Sequence, residues 1–274
     1  MAKLRDALAD KLTEKEISLL KSSYDVVGDV AILEIPEQLK KKEKIIAQEL
    51  LNLNKNIKVV CKKTGIHKGA FRLQKLKHLL GEKRKTTIYK ENNVRLNLNP
   101  EKVYFSVRLS TERKRIYESV KPGESILVMF SGSGVYPIVI SKNTKAKEIY
   151  GIEINPYAHK IAIENIELNK IKNVKLLKGD VRKVVPKLKK KFDRILMPLP
   201  KDAENFLETA LIAAKKGTII NFYDFAQEKE FENRKKLVID ICKKLGRKIE
   251  ILNLVKCGQY APFTYRICID FKIL

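Results

Sequence analysis

Short apolar runs punctuate the second part of the chain, and most end at a small or acidic residue. Ser125-Ile-Leu-Val-Met-Phe130, Glu148-Ile-Tyr-Gly-Ile-Glu153, Val174-Lys-Leu-Leu-Lys178, Asp193-Arg-Ile-Leu-Met197 and Thr218-Ile-Ile-Asn-Phe222 read as buried strands. Helical stretches follow several of them: one opened by Val135-Tyr-Pro-Ile-Val-Ile140, one over 203–214 stopped at Lys216-Gly217, and one over 228–245. Strands alternating with helices predict a mostly parallel sheet. Residues 247–255 and 264–272 then read as strands flanking Gly258-Gln-Tyr-Ala-Pro262, with no helix between them. They predict a closing hairpin, so one strand runs antiparallel to the rest.

The first third has a different pattern. Residues 3–22 carry Leu4, Ala7, Leu8, Leu12, Ile17, Leu19 and Leu20 at helical spacing. Tyr24 to Ile35 reads as a hairpin about Gly28-Asp29, and Pro36 ends it. An amphipathic helix over 37–53 bears Ile45, Ile46, Leu50 and Leu51, with the basic run Lys40–Lys44 as a solvated face. Val59–Lys63 is a strand, Thr64–Arg72 a basic glycine-containing loop, and Thr86–Lys90 with Val94–Leu98 a strand pair about Asn92-Asn93. Residues 1–98 thus form a small mixed α/β module before a larger α/β domain over 99–274. Ser110 or Thr111 is the expected N-cap of a helix whose first turn carries Glu112.

Candidate chemistry gathers where the first large-domain strand ends. Phe130 leads into Ser131-Gly132-Ser133-Gly134, where the glycines let a ligand approach the backbone. Some twenty residues on, Glu153 ends the next strand, placed to accept bonds from a ribose diol. Asp180 ends the third strand, where it can reach an adenine. A dinucleotide fingerprint would put a third glycine where Pro137 stands, and no second mononucleotide half follows. S-adenosylmethionine fits this layout better. A parallel sheet closed by a hairpin is the usual methyltransferase arrangement, so the fold expected is α/β, Rossmann-like, of the class I S-adenosylmethionine-dependent type.

Composition narrows the partner. Lys and Arg number 57 against 32 Asp and Glu, a formal net charge of +25. A lysine-rich compositional bias would produce this; so would a polyanionic partner. The basic residues are spread through folded segments rather than held in one tail, which suits a nucleic-acid surface. No apolar run reaches transmembrane length, and the N-terminus lacks a signal-peptide core, so no membrane partner is expected. Cys61, Cys242, Cys257 and Cys268 lie far apart, and His67, His78 and His159 do not pair at ligand spacing. Buried free thiols in a cytoplasmic protein, and no metal, are the expectation.

Taken together, the motifs carry a resemblance. Ser23-Tyr-Asp-Val-Val-Gly-Asp29, Phe71-Arg72, His78-Leu-Leu-Gly-Glu82, Ile88-Tyr-Lys-Glu-Asn92, Val103-Tyr-Phe-Ser-Val-Arg-Leu-Ser-Thr-Glu-Arg113, Glu153-Ile-Asn-Pro156, Gly179-Asp-Val-Arg182, Met197-Pro-Leu-Pro-Lys201 and Tyr260-Ala-Pro262 occur in this order. In that order they resemble the archaeal and eukaryotic tRNA (guanine-N1) methyltransferases that modify position 37, in the anticodon loop. A sister family, similar to these, transfers aminocarboxypropyl from the same cofactor in wyosine synthesis. The resemblance implies that Arg72 contacts the target guanine and Glu112 takes its N1 proton. It implies cofactor contacts at Arg113, Phe130, Gly132, Gly134, Glu153, Ile154, Asp180, Val181 and Pro198. It places tRNA contacts at Tyr104, Arg108, Lys201, Tyr260 and Pro262, in a monomer whose small domain supports RNA binding. Read alone, Arg72 is one more phosphate-facing cation, Glu112 a helix-start carboxylate, and Glu153 and Asp180 strand-end caps.

Three departures bear on the reaction. Val128 stands where the family usually has aspartate, and Pro198 where it usually has asparagine. Proline offers a carbonyl but no amide donor. The family also often carries a further N-terminal domain that binds the tRNA elbow, and this chain begins where the second domain would. Methylation of guanosine 37 is the first expectation. A wyosine-pathway reaction on modified guanosine 37 is the second, and a non-catalytic tRNA-binding protein the third.

Overall fold

The computed structural model describes residues 4–21, 23–65, 69, 71 and 73–274. Two compact units are formed, Met1–Glu91 with Arg95–Val107, and Asn92–Val94 with Arg108–Leu274. No helix among the described residues is long and apolar enough to cross a membrane.

The first unit opens with α1 (Leu4–Ala7) and α2 (Glu14–Leu19), where a single helix over 3–22 is expected. Thr13 is the cause. Its hydroxyl accepts from Glu16 N at 3.3 Å while Glu16 accepts from Thr13 N at 2.9 Å, a capping box that starts a new helix. Strands β1 (Asp25–Val27) and β2 (Val30–Leu33) turn at Gly28, whose φ is +59°. A 3₁₀ turn, Glu37–Lys42, leads into α3 (Glu43–Leu53). β3 (Val59–Lys63) pairs parallel to β2, and β4 (Leu76–Gly81) pairs antiparallel to β3, giving a four-stranded sheet. β5 (Thr87–Glu91) and β6 (Val94–Leu98) form a separate hairpin. Ile46, Ala47 and Leu50 of α3 pack on Ala31, Leu33 and Val60, each burial contributing about 1.5–3 kcal/mol for the larger side chains.

The second unit holds α4 (Ser110–Glu118), β7 (Ser125–Met129), α5 (Val135–Asn143), β8 (Glu148–Glu153), α6 (Pro156–Leu168) and β9 (Val174–Lys178). It continues with α7 (Val181–Leu188), β10 (Phe192–Met197), α8 (Leu207–Ile212), β11 (Ala214–Gln227), α9 (Phe231–Lys244), β12 (Ile249–Ala261) and β13 (Thr264–Ile273). The seven-stranded sheet has the order β12-β13-β11-β10-β7-β8-β9, with β13 antiparallel to both its neighbours. This is the α/β methyltransferase fold expected, its sheet parallel except at the closing hairpin.

The helices cover two faces. Ile126, Val128, Ile149, Leu196, Tyr223 and Cys268 pack with Ile116 of α4 and with Tyr136 and Ile140 of α5. Leu127, Met129, Ile152, Ile195, Met197 and Phe222 pack on the other face with residues of α7, α8 and α9. Val128 is therefore a fully buried core residue. Neither Ser110 nor Thr111 caps α4. A 3₁₀ turn, Val107–Leu109, runs straight into the helix, so Leu109 is the N-cap and no side chain bonds there. β11 and β12 are longer than their apolar patterns indicate. Register shifts in β12 absorb Leu252, Cys257 and Tyr260, so the strand continues through the glycine-containing stretch expected to be a loop.

Candidate active site

The glycine turn is built on backbone that few side chains tolerate. Phe130, directly after β7, has φ +61°, a conformation uncommon for a bulky residue and found mostly where function demands it. Gly132 and Gly134 follow at +57° and +81°. A Cβ on Gly134 would lie 3.1 Å from Ala162 Cβ and from Ile138 Cδ1, so this glycine lets α6 approach α5. A Cβ on Gly132 would meet nothing within 4 Å. That side of the turn is open.

Glu153 is clamped beneath it. Gly132 N donates to one carboxylate oxygen and Asn155 N to the other, each at 2.7 Å. Burial pushes the Glu153 carboxyl above its ordinary range, opposed by these backbone donors. Asn155 caps α6 by accepting from Tyr157 N and Ala158 N, which leaves Ile154 between the two as an exposed apolar side chain. Gly179 N donates to the Glu153 carbonyl at 2.9 Å, bringing the end of β9 alongside. There Asp180 caps α7, accepting from Arg182 N at 2.9 Å and pairing with the Arg182 guanidinium at 2.5 Å. The Arg182 bond holds the Asp180 carboxyl below its usual range. Val181, next in α7, is buried in the core. Phe130 meets Phe206 edge-on at 4.9 Å, and Arg182 lies over that ring at 5.5 Å.

Glu112 belongs to a buried polar chain on the α4/α5 face. It is 4% exposed. Arg115 grips it in a fork, both bonds at 2.7 Å, and the Tyr223 phenol donates to Oε1 at 2.7 Å. Tyr136, in the first turn of α5, donates to Tyr223 at 3.1 Å. Arg115 also pairs with Asp270 at 2.5 Å, and Asp270 receives Asn221 Nδ2 at 2.6 Å. Burial drives both phenols to titrate well above the usual tyrosine range. Thus Glu112 is more than a helix-start carboxylate: it connects α4 to β11 and, through Tyr136, to the helix that follows the glycine turn. Arg113 beside it is also buried.

The remaining predicted residues are dispersed. Pro198 is half-buried just past β10, in a tight turn where Leu199 N bonds Met197 O at 2.7 Å. Lys201 and Arg108 are exposed. Tyr104 lies in the first unit and is 37% exposed. Tyr260 and Pro262 are exposed at the β12–β13 tip. Arg72 lies outside the described residues.

Several participants escape sequence reasoning. Ser131 and Ser133, 5% and 1% exposed, carry buried hydroxyls with no hydrogen-bond partner among the described residues. Tyr136, Tyr223, Arg115 and Asp270 complete the Glu112 chain. Ser131 and Ser133 flank Gly132 and were legible as polar residues in the turn. The aromatic and hairpin partners come together only through tertiary structure.

Comparison with known proteins gives the family. Residues 87–252 match the TRM5/TYW2 methyltransferase domain, and residues 4–85 the TYW2 N-terminal domain. The chain is 39% identical to the tRNA (guanine(37)-N(1))-methyltransferase Trm5b of Pyrococcus abyssi, across 93% of this chain and 76% of that protein. It is 34% identical to the tRNA 4-demethylwyosine(37)-methyltransferase Taw21 of Saccharolobus solfataricus, across 90% and 92%. It is 31% identical to the tRNA(Phe) (4-demethylwyosine(37)-C(7)) aminocarboxypropyltransferase of Pyrococcus horikoshii, across 99% and 96%. Among solved structures, aTrm5 in complex with tRNALeu superposes with TM-score 0.87 at 36% identity, covering 100% of this chain and 78% of that one. P. horikoshii TYW2 in complex with MeSAdo superposes with TM-score 0.82 at 28% identity, covering 99% and 98%. With a family model matched over most of its length and a relative 39% identical across 93% of it, the chain belongs to the TRM5/TYW2 methyltransferase domain family.

Proposed function

We propose that this protein transfers the methyl group of S-adenosylmethionine to N1 of guanosine 37 in tRNA. The relatives with that activity in their names, and the net charge of +25, support a tRNA substrate. The residues at the glycine turn fit the cofactor. Two buried hydroxyls lack partners among the described residues, Gly132 leaves its side of the turn open, and Glu153 is a fixed acceptor. When bound, S-adenosylmethionine supplies a methyl group already activated on a sulfonium.

The chain's own residues do the rest. Glu153 accepts the ribose hydroxyls. Phe130, Ile154 and Pro198 offer apolar surface to the nucleoside and Val181 backs the site from the core, while Gly132 and Gly134 bring backbone close to it. Asp180 takes the adenine amino group by sharing its carboxylate with Arg182, and Arg113 supports the cofactor end from α4. Guanine N1 carries a proton and is a poor nucleophile, so a positioned carboxylate must remove it as the N–C bond forms. Glu112 is that group, and Arg115 and Tyr223 fix the direction of its lone pairs. Arg72 stabilises charge developing on O6. Tyr104, Arg108, Lys201, Tyr260 and Pro262 hold the anticodon loop, in which an unpaired base can be splayed out and read on its edges.

The observation carrying this reading is the Glu112 carboxylate, oriented by three bonds and linked through Tyr223 to Tyr136 of the helix behind the glycine turn. Labelled S-adenosylmethionine with unmodified transcripts bearing G37 or A37 tests it. 1-Methylguanosine in the G37 digest is the expected product; binding with no transfer to either transcript would leave a tRNA-binding protein instead.

One observation favours a second reading. Pro198 places no amide donor at the end of β10, and the S. solfataricus relative of nearly the same span is named for 4-demethylwyosine. On this reading the acceptor is the tricyclic base at position 37. Activity confined to wyosine-precursor tRNA would select it.

A further inference from the structure

The two most exposed large apolar side chains among the described residues sit together at the β12–β13 tip: Phe263 is 79% exposed and Tyr260 66%. Their setting is built. Pro262 and Phe263 make the two-residue turn, and Phe263 has φ +58°. A proline-led turn favours glycine at its second position, because only glycine adopts positive φ at no steric cost. Here a phenylalanine is held there, in solvent. Tyr260 is the extra residue of a β-bulge, which re-aims its ring. The ring lies 4.1 Å from Phe225 at a tilt of 32°, and Arg266 lies 5.3 Å from the Phe225 ring. Arginine, phenylalanine and tyrosine thus form a layered group in which the tyrosine is the exposed member.

Strand register places this group. Tyr223 pairs with Cys268, and two residues further along Phe225 pairs with Arg266. Side chains two apart share a face, so the layered group stands on the face of the sheet where Tyr223 donates to Glu112. It lies one step nearer the edge at which the glycine turn opens. Met197, the last residue of β10, pairs with Phe222, and β11 runs on to Gln227 paired with Thr264. At about 3.3 Å per residue the hairpin rises roughly 16 Å beyond the end of β10.

We infer that the hairpin tip is a stacking platform for an unpaired nucleobase adjacent to the one that reacts, with Tyr260 as its face and Phe263 as its edge. The inference rests on the proposed RNA substrate and adds where a neighbouring nucleotide goes. Aromatic rings stack on any base whatever its sequence, and Arg266, over the Phe225 ring at 5.3 Å, supplies positive charge on the same face. A protein partner would use the same apolar surface, but the chain's net charge of +25 favours a polyanion.

The test is a binding titration that needs neither cofactor nor turnover. Anticodon stem-loop RNA carries 2-aminopurine at the nucleotide on either side of position 37, and its fluorescence reports stacking. The wild-type protein should quench one of the two probes. Tyr260→Ala and Phe263→Ala should each weaken binding about 5- to 100-fold and reduce the quench, while Tyr260→Phe and Tyr260→Trp retain both. An abasic nucleotide at the quenched position should produce the same loss with wild-type protein, a result independent of whether any variant folds. Unchanged affinity and fluorescence across both alanine variants, or indifference to the abasic site, would overturn the platform. Normal quenching without methyl transfer would count against the reaction and leave the platform standing.

Discussion

Tyr223 donates its phenol to Glu112 at 2.7 Å and itself receives the phenol of Tyr136 at 3.1 Å. The first bond joins residues 111 positions apart and gives Glu112 a neutral donor beside its charged one. If Glu112 removes the N1 proton, Glu112→Gln should lower kcat roughly 10²- to 10⁴-fold with cofactor affinity unchanged. Tyr223→Phe should lower it about tenfold, and the double variant should be no worse than Glu112→Gln alone, as expected for groups acting as a unit. Single-turnover rates on G37 transcripts decide; additive losses would separate the two residues.

The two glycines of the turn should fail differently. Gly134→Ala forces a methyl within 3.1 Å of Ala162 and Ile138 at positive φ, so it should destabilise the fold by about 1–3 kcal/mol in urea unfolding. Gly132→Ala has open space and should cost only the left-handed backbone, about 1–2 kcal/mol. Its larger effect should be on S-adenosylmethionine affinity, measured by calorimetry, because the added methyl occupies the open side of the turn.

Cofactor affinity should depend on pH through Glu153. Burial raises this carboxyl, so its proton returns at a higher pH than for an ordinary glutamate. The charged form accepts a ribose diol; the protonated form loses acceptor capacity. Affinity should therefore be full above the raised value and fall as pH drops through it, with Glu153→Gln weak and flat across the range. For stability the sign reverses. A raised carboxyl favours the folded state at low pH, and that contribution is lost as pH rises through the folded value.

Arg194 is 1% exposed and bonds Glu124, Asn221 and the Ser119 carbonyl. Arg194→Met leaves Glu124 buried and unpaired and should cost about 3–5 kcal/mol. For a chain of this size that lowers Tm by roughly 10 °C. Arg194→Met with Glu124→Met should recover part of the loss. Scanning calorimetry of the three variants provides the comparison.

The local part of the site was readable from residue order. A strand end, two glycines and an acid some twenty residues on define the turn and Glu153 without reference to the rest of the chain. What Asp180 does there was less readable, since Arg182, two residues away, engages it in a geometry set by the cap of α7. The partners of Glu112 were not readable at all. Tyr223 and Asp270 look like ordinary strand residues, and only the order of the central strands brings them to α4. The same holds for β12: its bulges have no apolar signature, so alternation breaks at Cys257 and Tyr260 and the stretch resembles a loop. Thr13, by contrast, showed its capping box in the Thr-x-x-Glu spacing, yet the leucines on either side suggested one continuous helix.

The strand carrying Asp270 is the last of the sheet to be made, although it lies between β11 and β12. During translation Arg115 therefore has no Asp270 to pair with, and Tyr223 no neighbour at Cys268, until β13 leaves the ribosome. A growing chain, surrounded by tRNA, thus carries its glycine turn long before its carboxylate is fully braced. Any truncation within the closing strand leaves the same half-assembled state.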